Sequence, residues 1–489
     1  MIYPSRWILV SLIVSGLSLS LYACGSDEPE PIVKPEPEPD PEPAPTPEPA
    51  PADKVTLDYF AAVLAGKTPA ALPETLIESA DYDARKSRLW ELWRTAINTA
   101  DPTALPTPGN FMSADWSNNL VPTGSWNLPD GSMQFVYGFK GSKPSAGYPL
   151  ILSLHGSGED TYTEWSYTVG WDQIYQDSPA LYFVPRSPKG GTGCRWFQPS
   201  RQQAWMRLIR KACLAGDVDP DRIYFMGVSE GAYGSQRLGS FFADYLAGIG
   251  PIAGGEPLYN CPAENTANLY FRQRTGQLDT MFGRYRITVK ARETWDQLAK
   301  DHPGYYEHNI EIRPGEGHDC KYDGVTADLV KHVRNPWPKY FYWENFGMGE
   351  GTGEPNAWRT GFHNLRVVEG IHIGQDEWVR DAYEMTIEGN NISLKVMEVN
   401  VTPSDFVQES GWDVNIGVAK TVKDASKGKV TIYLNDKLVD LDSPVTITVN
   451  GVKKFEGKVT LDERYMTESL AEWGDPQRVF PAAVTVSVE

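Results

Sequence analysis

Basic residues are few: 45 Lys and Arg stand against 64 Asp and Glu, for a net charge of −19. A nucleic-acid surface needs positive charge to meet phosphates, so this balance argues against nucleic acid as a partner. Part of the acidity lies in one linker, so the folded part is less acidic than the total. Cysteine is scarce, with five residues at Cys24, Cys194, Cys213, Cys261 and Cys320, and no two form a C-x-x-C pair. That argues against a zinc site. Only seven histidines occur in 489 residues, and no internal repeat is present. Tryptophan, by contrast, is plentiful at sixteen. Core packing is the default for most of them, and sugar-binding platforms are the sharper alternative. The length suits two or three domains.

The first 54 residues do not build a core. Arg6 precedes the apolar stretch 7–21, the pattern of a targeting segment over residues 1–23. Leu21-Tyr22-Ala23-Cys24 resembles a bacterial lipobox, with Tyr22 bulkier than usual. The resemblance implies cleavage before Cys24, lipidation of its thiol and a membrane anchor. Gly25-Ser26-Asp27-Glu28 resembles the surface-export signal of Bacteroidetes lipoproteins. An outer-membrane lipoprotein exposed at the cell surface is therefore expected, with the periplasmic face as the alternative. Proline then alternates with acid, as in Lys34-Pro35-Glu36-Pro37-Glu38. Proline favours extended chain and like charges repel, so residues 24–54 read as a stiff stalk.

Residues 55–100 carry apolar residues at helical spacing, Leu57, Phe60 and Leu64, then Leu89, Trp93 and Ile97. They predict a helical extension packed on a catalytic domain, the two together spanning 55–336. From about residue 112, apolar runs at 133–139, 149–154, 180–184, 247–253, 267–272 and 305–312 read as strands. Stretches 202–214, 287–298 and 325–333 read as helices. Such alternation predicts an α/β fold with a mostly parallel, doubly wound sheet. Beyond Asn335-Pro336-Trp337-Pro338 only short alternating runs occur, and Asn450-Gly451 is a hairpin signal. Residues 337–489 therefore read as an all-β, sandwich-like accessory domain.

Gly227-Val228-Ser229-Glu230-Gly231 fits G-x-S-x-G. An apolar run precedes it, and Leu238, Phe241, Phe242 and Tyr245 follow at helical spacing. Strand, sharp turn and helix are the setting of a nucleophile elbow, with Ser229 as nucleophile. A serine nucleophile needs a base, an orienting acid and an oxyanion hole. Elimination among the histidines leaves His318, in the loop Pro314-Gly315-Glu316-Gly317-His318-Asp319 after the last predicted strand. Asp279 follows the preceding strand and gives the order Ser, Asp, His, with Asp296 and Asp301 as fallbacks. The loop His155-Gly156-Ser157-Gly158 follows the first strongly apolar strand. The expected oxyanion donors are the Glu230 N–H and one from Gly156 or Ser157. His155 and Trp196 are candidate substrate-binding residues, with loop bracing and core packing as the bland alternatives. One or two disulfides are possible in an exported chain, with Cys261–Cys320 the expected pair and four free thiols the alternative.

The stretch Val218-Asp219-Pro220-Asp221-Arg222-Ile223-Tyr224-Phe225-Met226 through Gly231, with the His155 loop, resembles the secreted esterases of the α/β-hydrolase superfamily. The nearest group resembled is the polyhydroxybutyrate-depolymerase and feruloyl or acetyl-xylan esterase type. The resemblance covers roughly Phe135 to Val333, and Ala232 departs from it where many members carry glycine. It implies a cofactor-independent serine esterase acting on acetyl or feruloyl groups of polysaccharides through an acyl-enzyme. The alternatives are a serine peptidase of the same fold and a non-catalytic, glycan-binding surface lipoprotein.

Overall fold

Between residues 124 and 329 the apolar runs and amphipathic stretches fold as the predicted mostly parallel sheet with helices on both faces. The computed structural model describes residues 50–489 apart from 118, 192–194, 320, 350–356, 372–377 and 410. The leader, Cys24, nearly all of the stalk, Cys194 and Cys320 lie outside the described residues.

The sheet strands are β1 (Gly109–Asn110), β2 (Gly124–Leu128), β3 (Gly131–Lys140), β4 (Tyr148–Leu154), β5 (Ala180–Pro185), β6 (Val218–Val228), β7 (Gly248–Ile252), β8 (Tyr270–Gly276) and β9 (His308–Arg313). Their order is β1-β3-β5-β4-β6-β7-β8-β9, with β2 also on β3. From β5 through β9 all pairings are parallel, and the β3–β5 pair is antiparallel. Side chains alternate along a strand, so each face needs its own cover. On one face Leu150, Leu152 and Leu154 meet α4 (Pro199–Ala215), α5 (Glu230–Phe241) and α6 (Arg284–Asp301) through Leu208, Leu238 and Trp295. On the other, Ile151 packs with Trp165 and Val169 of α3 (Thr161–Ile174) and Val325 and Leu329 of α7 (Val325–Leu329). This is the predicted α/β-hydrolase architecture. Helix α3 is an addition that the apolar pattern does not predict, and α7 is shorter than its apolar run.

The β-rich region is a sandwich. One sheet runs β10 (Tyr340–Asn345), β13 (Val379–Glu388), β14 (Asn391–Glu409), β17 (Val445–Val449), β18 (Val452–Gly457), with β15 (Trp412–Asp424) on β14. The other runs β11 (Gly361–Phe362), β12 (Leu365–Glu369), β16 (Lys429–Leu434), β19 (Ala482–Ser487). Asn450 and Gly451 make the predicted hairpin, both with positive φ. The sequence did not foretell α8 (Glu463–Trp473), nor the length of β14 and β15. These two strands form a ribbon that reaches α6. Arg286 pairs with Glu409 at 3.5 Å and Lys290 with Asp405 at 3.2 Å.

The helical extension differs from expectation. Both α1 (Pro51–Leu64) and α2 (Tyr82–Ala100) form, but Phe60, Leu89, Trp93 and Ile97 pack chiefly with Met466, Leu470 and Ala471 of α8. Leu214 is the contribution of α4 to this cluster. The apolar stripe of α8 faces these helices, and Arg85 and Arg88 both reach Glu463 at 2.8 Å.

Residues 50–489 lie within one compact unit. A buried charge network joins the sheet domain to the sandwich. Asp244, just after α5, meets Arg359 and Arg478. Arg334 bonds Asp221 and Asp475, each at 2.7 Å. Burial opposes the Asp244 charge, but Arg359 and Arg478 together hold its carboxyl well below the usual range. Cys213 and Cys261 are free thiols. The expected Cys261–Cys320 bond is therefore corrected: Cys261 is a buried free thiol, 3.9 Å from the Pro257 carbonyl.

Candidate active site

Strand β6 ends at Val228 and α5 begins at Glu230, leaving Ser229 alone in the turn at φ 57°, ψ −115°. A non-glycine residue in this region is strained, and the surroundings must hold it there. Two glycines make the turn possible. A Cβ on Gly231 would lie 2.0 Å from the Leu154 carbonyl oxygen, and one on Gly227 would lie 2.3 Å from that of Gly231. The Ser229 N–H donates to Ile252 at 2.9 Å, tying the elbow to β7.

Two loops bring the other groups to Ser229. The acid loop follows β8 and the base loop follows β9, so adjacent parallel strands deliver both to the same sheet edge. Backbone bonds zip them together: Gln277 N–H to Arg313 at 2.9 Å and Leu278 N–H to Glu316 at 2.8 Å. His318 accepts from the Ser229 hydroxyl through Nε2 at 3.1 Å, and its Nδ1–H donates to Asp279 Oδ2 at 2.8 Å. Asp279 is buried, and its second oxygen accepts from Arg284 Nη1 at 3.1 Å. The fallback acids lie elsewhere: Asp296 pairs with His308 and Asp301 accepts from Gln297. Sequence reasoning missed Arg284, whose link to Asp279 depends on how α6 leaves the acid loop. It also missed Tyr322, whose hydroxyl donates to the His318 carbonyl at 2.8 Å.

The His155 loop lies against the nucleophile: a Cβ on Gly156 would come 3.4 Å from the Ser229 Cβ. His155 is fully buried, which corrects its assignment as a substrate-binding residue. Its Nδ1–H donates to the Gly156 carbonyl at 2.6 Å, and its Nε2 accepts from the Ser187 N–H at 3.0 Å. A loop beyond a strand end has no ladder partner, so the imidazole satisfies its polar groups instead. A trans peptide sets its C=O and N–H on opposite sides, so this bond turns the Ser157 N–H away from the imidazole. Burial pushes the His155 imidazole down to about 4, so the neutral ring is the one held here. Trp196 is corrected likewise. It is fully buried, donates from Nε1 to the His155 carbonyl at 2.9 Å, and packs over Gly234 of α5.

Glu230 begins α5, and the helix N-terminus favours negative charge near its N–H. Its side chain pairs with Arg195 at 2.8 Å. Burial pushes the carboxyl up to about 7, with Arg195 pulling the other way. The His318 side chain is 45% exposed, so the Ser–His pair opens to solvent. A cleft of about 790 Å³ runs between α4, the end of α5 and residues 357–360, and none of Ser229, Asp279 or His318 lines it. Among the described residues no cluster of three or more His, Cys, Asp or Glu could hold a metal ion. A hydroxyl, an imidazole and a buried carboxylate in hydrogen-bonded line can deprotonate the hydroxyl as it attacks a carbonyl.

No family model matches the sequence. Over 187 residues it is 26% identical to poly(3-hydroxyalkanoate) depolymerase C of Paucimonas lemoignei. That match covers 36% of this chain and 42% of the relative, less than half of the relative's length. Among solved structures, a thermostable esterase is 20% identical with a TM-score of 0.34, over 43% of this chain and 62% of that one. A ferulic acid esterase of the fungus Anaeromyces mucronatus is 13% identical with a TM-score of 0.28, over 47% and 97%. A carbohydrate esterase from gut microbiota is 12% identical with a TM-score of 0.30, over 46% and 93%.

Proposed function

We propose that this chain is a serine esterase that removes acetyl or feruloyl groups from polysaccharides, held at the outer membrane by a lipid on Cys24. The hydrogen-bonded line Ser229–His318–Asp279 carries the reading. In this mechanism Ser229 Oγ attacks the ester carbonyl while His318 Nε2 takes its proton. Asp279 holds the imidazole in the required tautomer and stabilises the imidazolium. The Glu230 N–H and one from Gly156 or Ser157 meet the oxyanion. His318 then protonates the sugar oxygen as its bond to the carbonyl carbon breaks, so the sugar leaves as a hydroxyl and an acyl-Ser229 ester remains. It next deprotonates a water that releases the acid.

Two observations support a polymeric substrate. The His318 side chain opens to solvent, and the similar depolymerase is named for a polymeric ester. The lipid anchor rests on Leu21-Tyr22-Ala23-Cys24 and the acidic residues after it. Initial rates on p-nitrophenyl acetate, feruloyl esters and peptide anilides, compared in wild type and Ser229→Ala, test the chemistry. Ester turnover that falls at least about a thousandfold in the variant is expected, with no anilide cleavage. Unchanged ester turnover in Ser229→Ala sinks the reading. For the anchor, Cys24→Ala is expected to move the protein from membranes to the soluble fraction, and an unaltered distribution rejects it.

A further inference from the structure

The outer face of α3 is apolar where a surface helix is ordinarily polar. Tyr167, Trp171 and Ile174 recur at spacings of four and three, and are 55%, 51% and 62% exposed. The face extends on both sides. Toward the base loop, Trp171 meets Tyr322 edge-on at 6.1 Å between ring centroids, and Tyr322 holds the His318 carbonyl. On the far side, Trp116 lies over Gly170, where a Cβ would come 2.6 Å from its indole. Only glycine lets that ring lie against the helix.

The surface is fixed in place. The Gln173 side chain donates to the carbonyls of Phe111 and Ala114, each at 2.8 Å. Tyr162 accepts the Leu120 N–H at 2.6 Å. The segment that presents Met112 and Trp116 is thus fastened to α3 at both ends. The opposite side of α3, Trp165 and Val169, fills the core, so the outer residues are not needed for packing.

We propose that Met112, Trp116, Tyr167, Trp171, Ile174 and Tyr322 form a stacking platform for the pyranose chain of a polysaccharide substrate, running from the base loop along α3. The inference rests on the polysaccharide-esterase reading. Pyranose rings present C–H faces that pack on aromatic rings, and amphipathic tyrosine and tryptophan suit a surface that is wet between encounters. Tyr167 and Trp171 stand one helical turn apart, about 6 Å of rise, the scale of a single sugar residue. Continuity with His318 through Tyr322 favours substrate over a membrane or a second copy of the chain.

The test compares wild type, the Tyr167→Ala/Trp171→Ala double variant, Trp171→Phe and a distant exposed control, Val452→Ala. Substrates are acetylated xylan, feruloylated arabinoxylan and p-nitrophenyl acetate. Unfolding midpoints establish that each variant is folded. On whichever polymer the wild type hydrolyses, the double variant should show KM raised about tenfold or more with little change in kcat. The rise should greatly exceed that on p-nitrophenyl acetate, Trp171→Phe should recover most of it, and the control should match wild type. An unchanged KM on the polymer, or an equal rise on both substrate classes, overturns the platform. Loss of vesicle binding or of self-association in the double variant, with polymer KM intact, also overturns it by assigning the face to another occupant. Wild-type turnover of p-nitrophenyl acetate with none on either polymer removes the substrate reading and the platform together. Polymer turnover with unaltered variant KM removes the platform alone.

Discussion

Replacing Asp279 with asparagine tests the electrostatics of the site more sharply than deleting it. The two carboxylate oxygens have different partners: His318 Nδ1 at 2.8 Å and Arg284 Nη1 at 3.1 Å. Both partners are donors. An amide has one oxygen, and Arg284 is buried and always charged, so the oxygen turns to Arg284. The amide NH2 then faces Nδ1 and forces its proton onto Nε2, where it points at Ser229 instead of accepting from it. Trapping that tautomer costs about four orders of magnitude in kcat, or about 5 kcal/mol of transition-state stabilisation. Arg284→Met alone removes one charge-assisted bond to a carboxylate that still holds His318, at about 1.5–3 kcal/mol, a loss of roughly ten- to a hundredfold. In the double variant nothing claims the amide oxygen, so it can turn to the imidazole. Asp279→Asn/Arg284→Met should therefore exceed Asp279→Asn by about tenfold, the reverse of additivity. Steady-state kcat on p-nitrophenyl acetate, with unfolding midpoints for each variant, reads this out. A double variant slower than Asp279→Asn refutes the orientation argument, and Asp279→Asn within tenfold of wild type refutes the role of the acid.

Two further outcomes concern stability. His155 is buried with its imidazole held down at about 4, so its contribution is complete above the unfolded value near 6.5 and is lost as pH falls toward 4. That difference corresponds to about 3 kcal/mol. Urea unfolding at pH 7 and pH 4 should show the loss, with a smaller one in His155→Asn; equal losses in both proteins reject it. Asp244→Ala strands Arg359 and Arg478 in the interior and should cost about 3–5 kcal/mol, and a change under about 1 kcal/mol would show that the network does not join the two regions.

What the sequence made legible follows from how each element meets water. Strand β4 is buried on both faces, and so is the Ile223–Gly227 stretch of β6, so both read as unbroken apolar runs. The elbow was visible because its glycines admit no side chain. Asp279 could be placed because the acid loop must leave β8 beside the base loop. Helix α3 was hidden because Trp165 and Val169 face inward while Tyr167, Trp171 and Ile174 face outward, which erases the apolar period. The tips of β14 and β15 alternate too weakly to separate from loop. Composition alone could not tell that His155 and Trp196 point into the interior, since bracing and binding use the same residue types. Arg284 left no signal, because its partner is chosen by the angle at which α6 departs.

The pairing of the first helices with α8 sets an order of events during synthesis. Arg85 and Arg88 find Glu463 across 378 and 375 residues. Closing a loop of that length costs about 5 kcal/mol in chain entropy, and ribosomal synthesis delivers the partner only after about 360 further residues have followed α2. The central sheet has all its strands well before that, so α1 and α2 wait with Phe60, Leu89 and Trp93 uncovered. A chain clipped or stalled ahead of residue 463 would carry a finished central sheet and a sticky helical flap. That flap is a ready handle for chaperones and proteases, and its burial marks the arrival of α8.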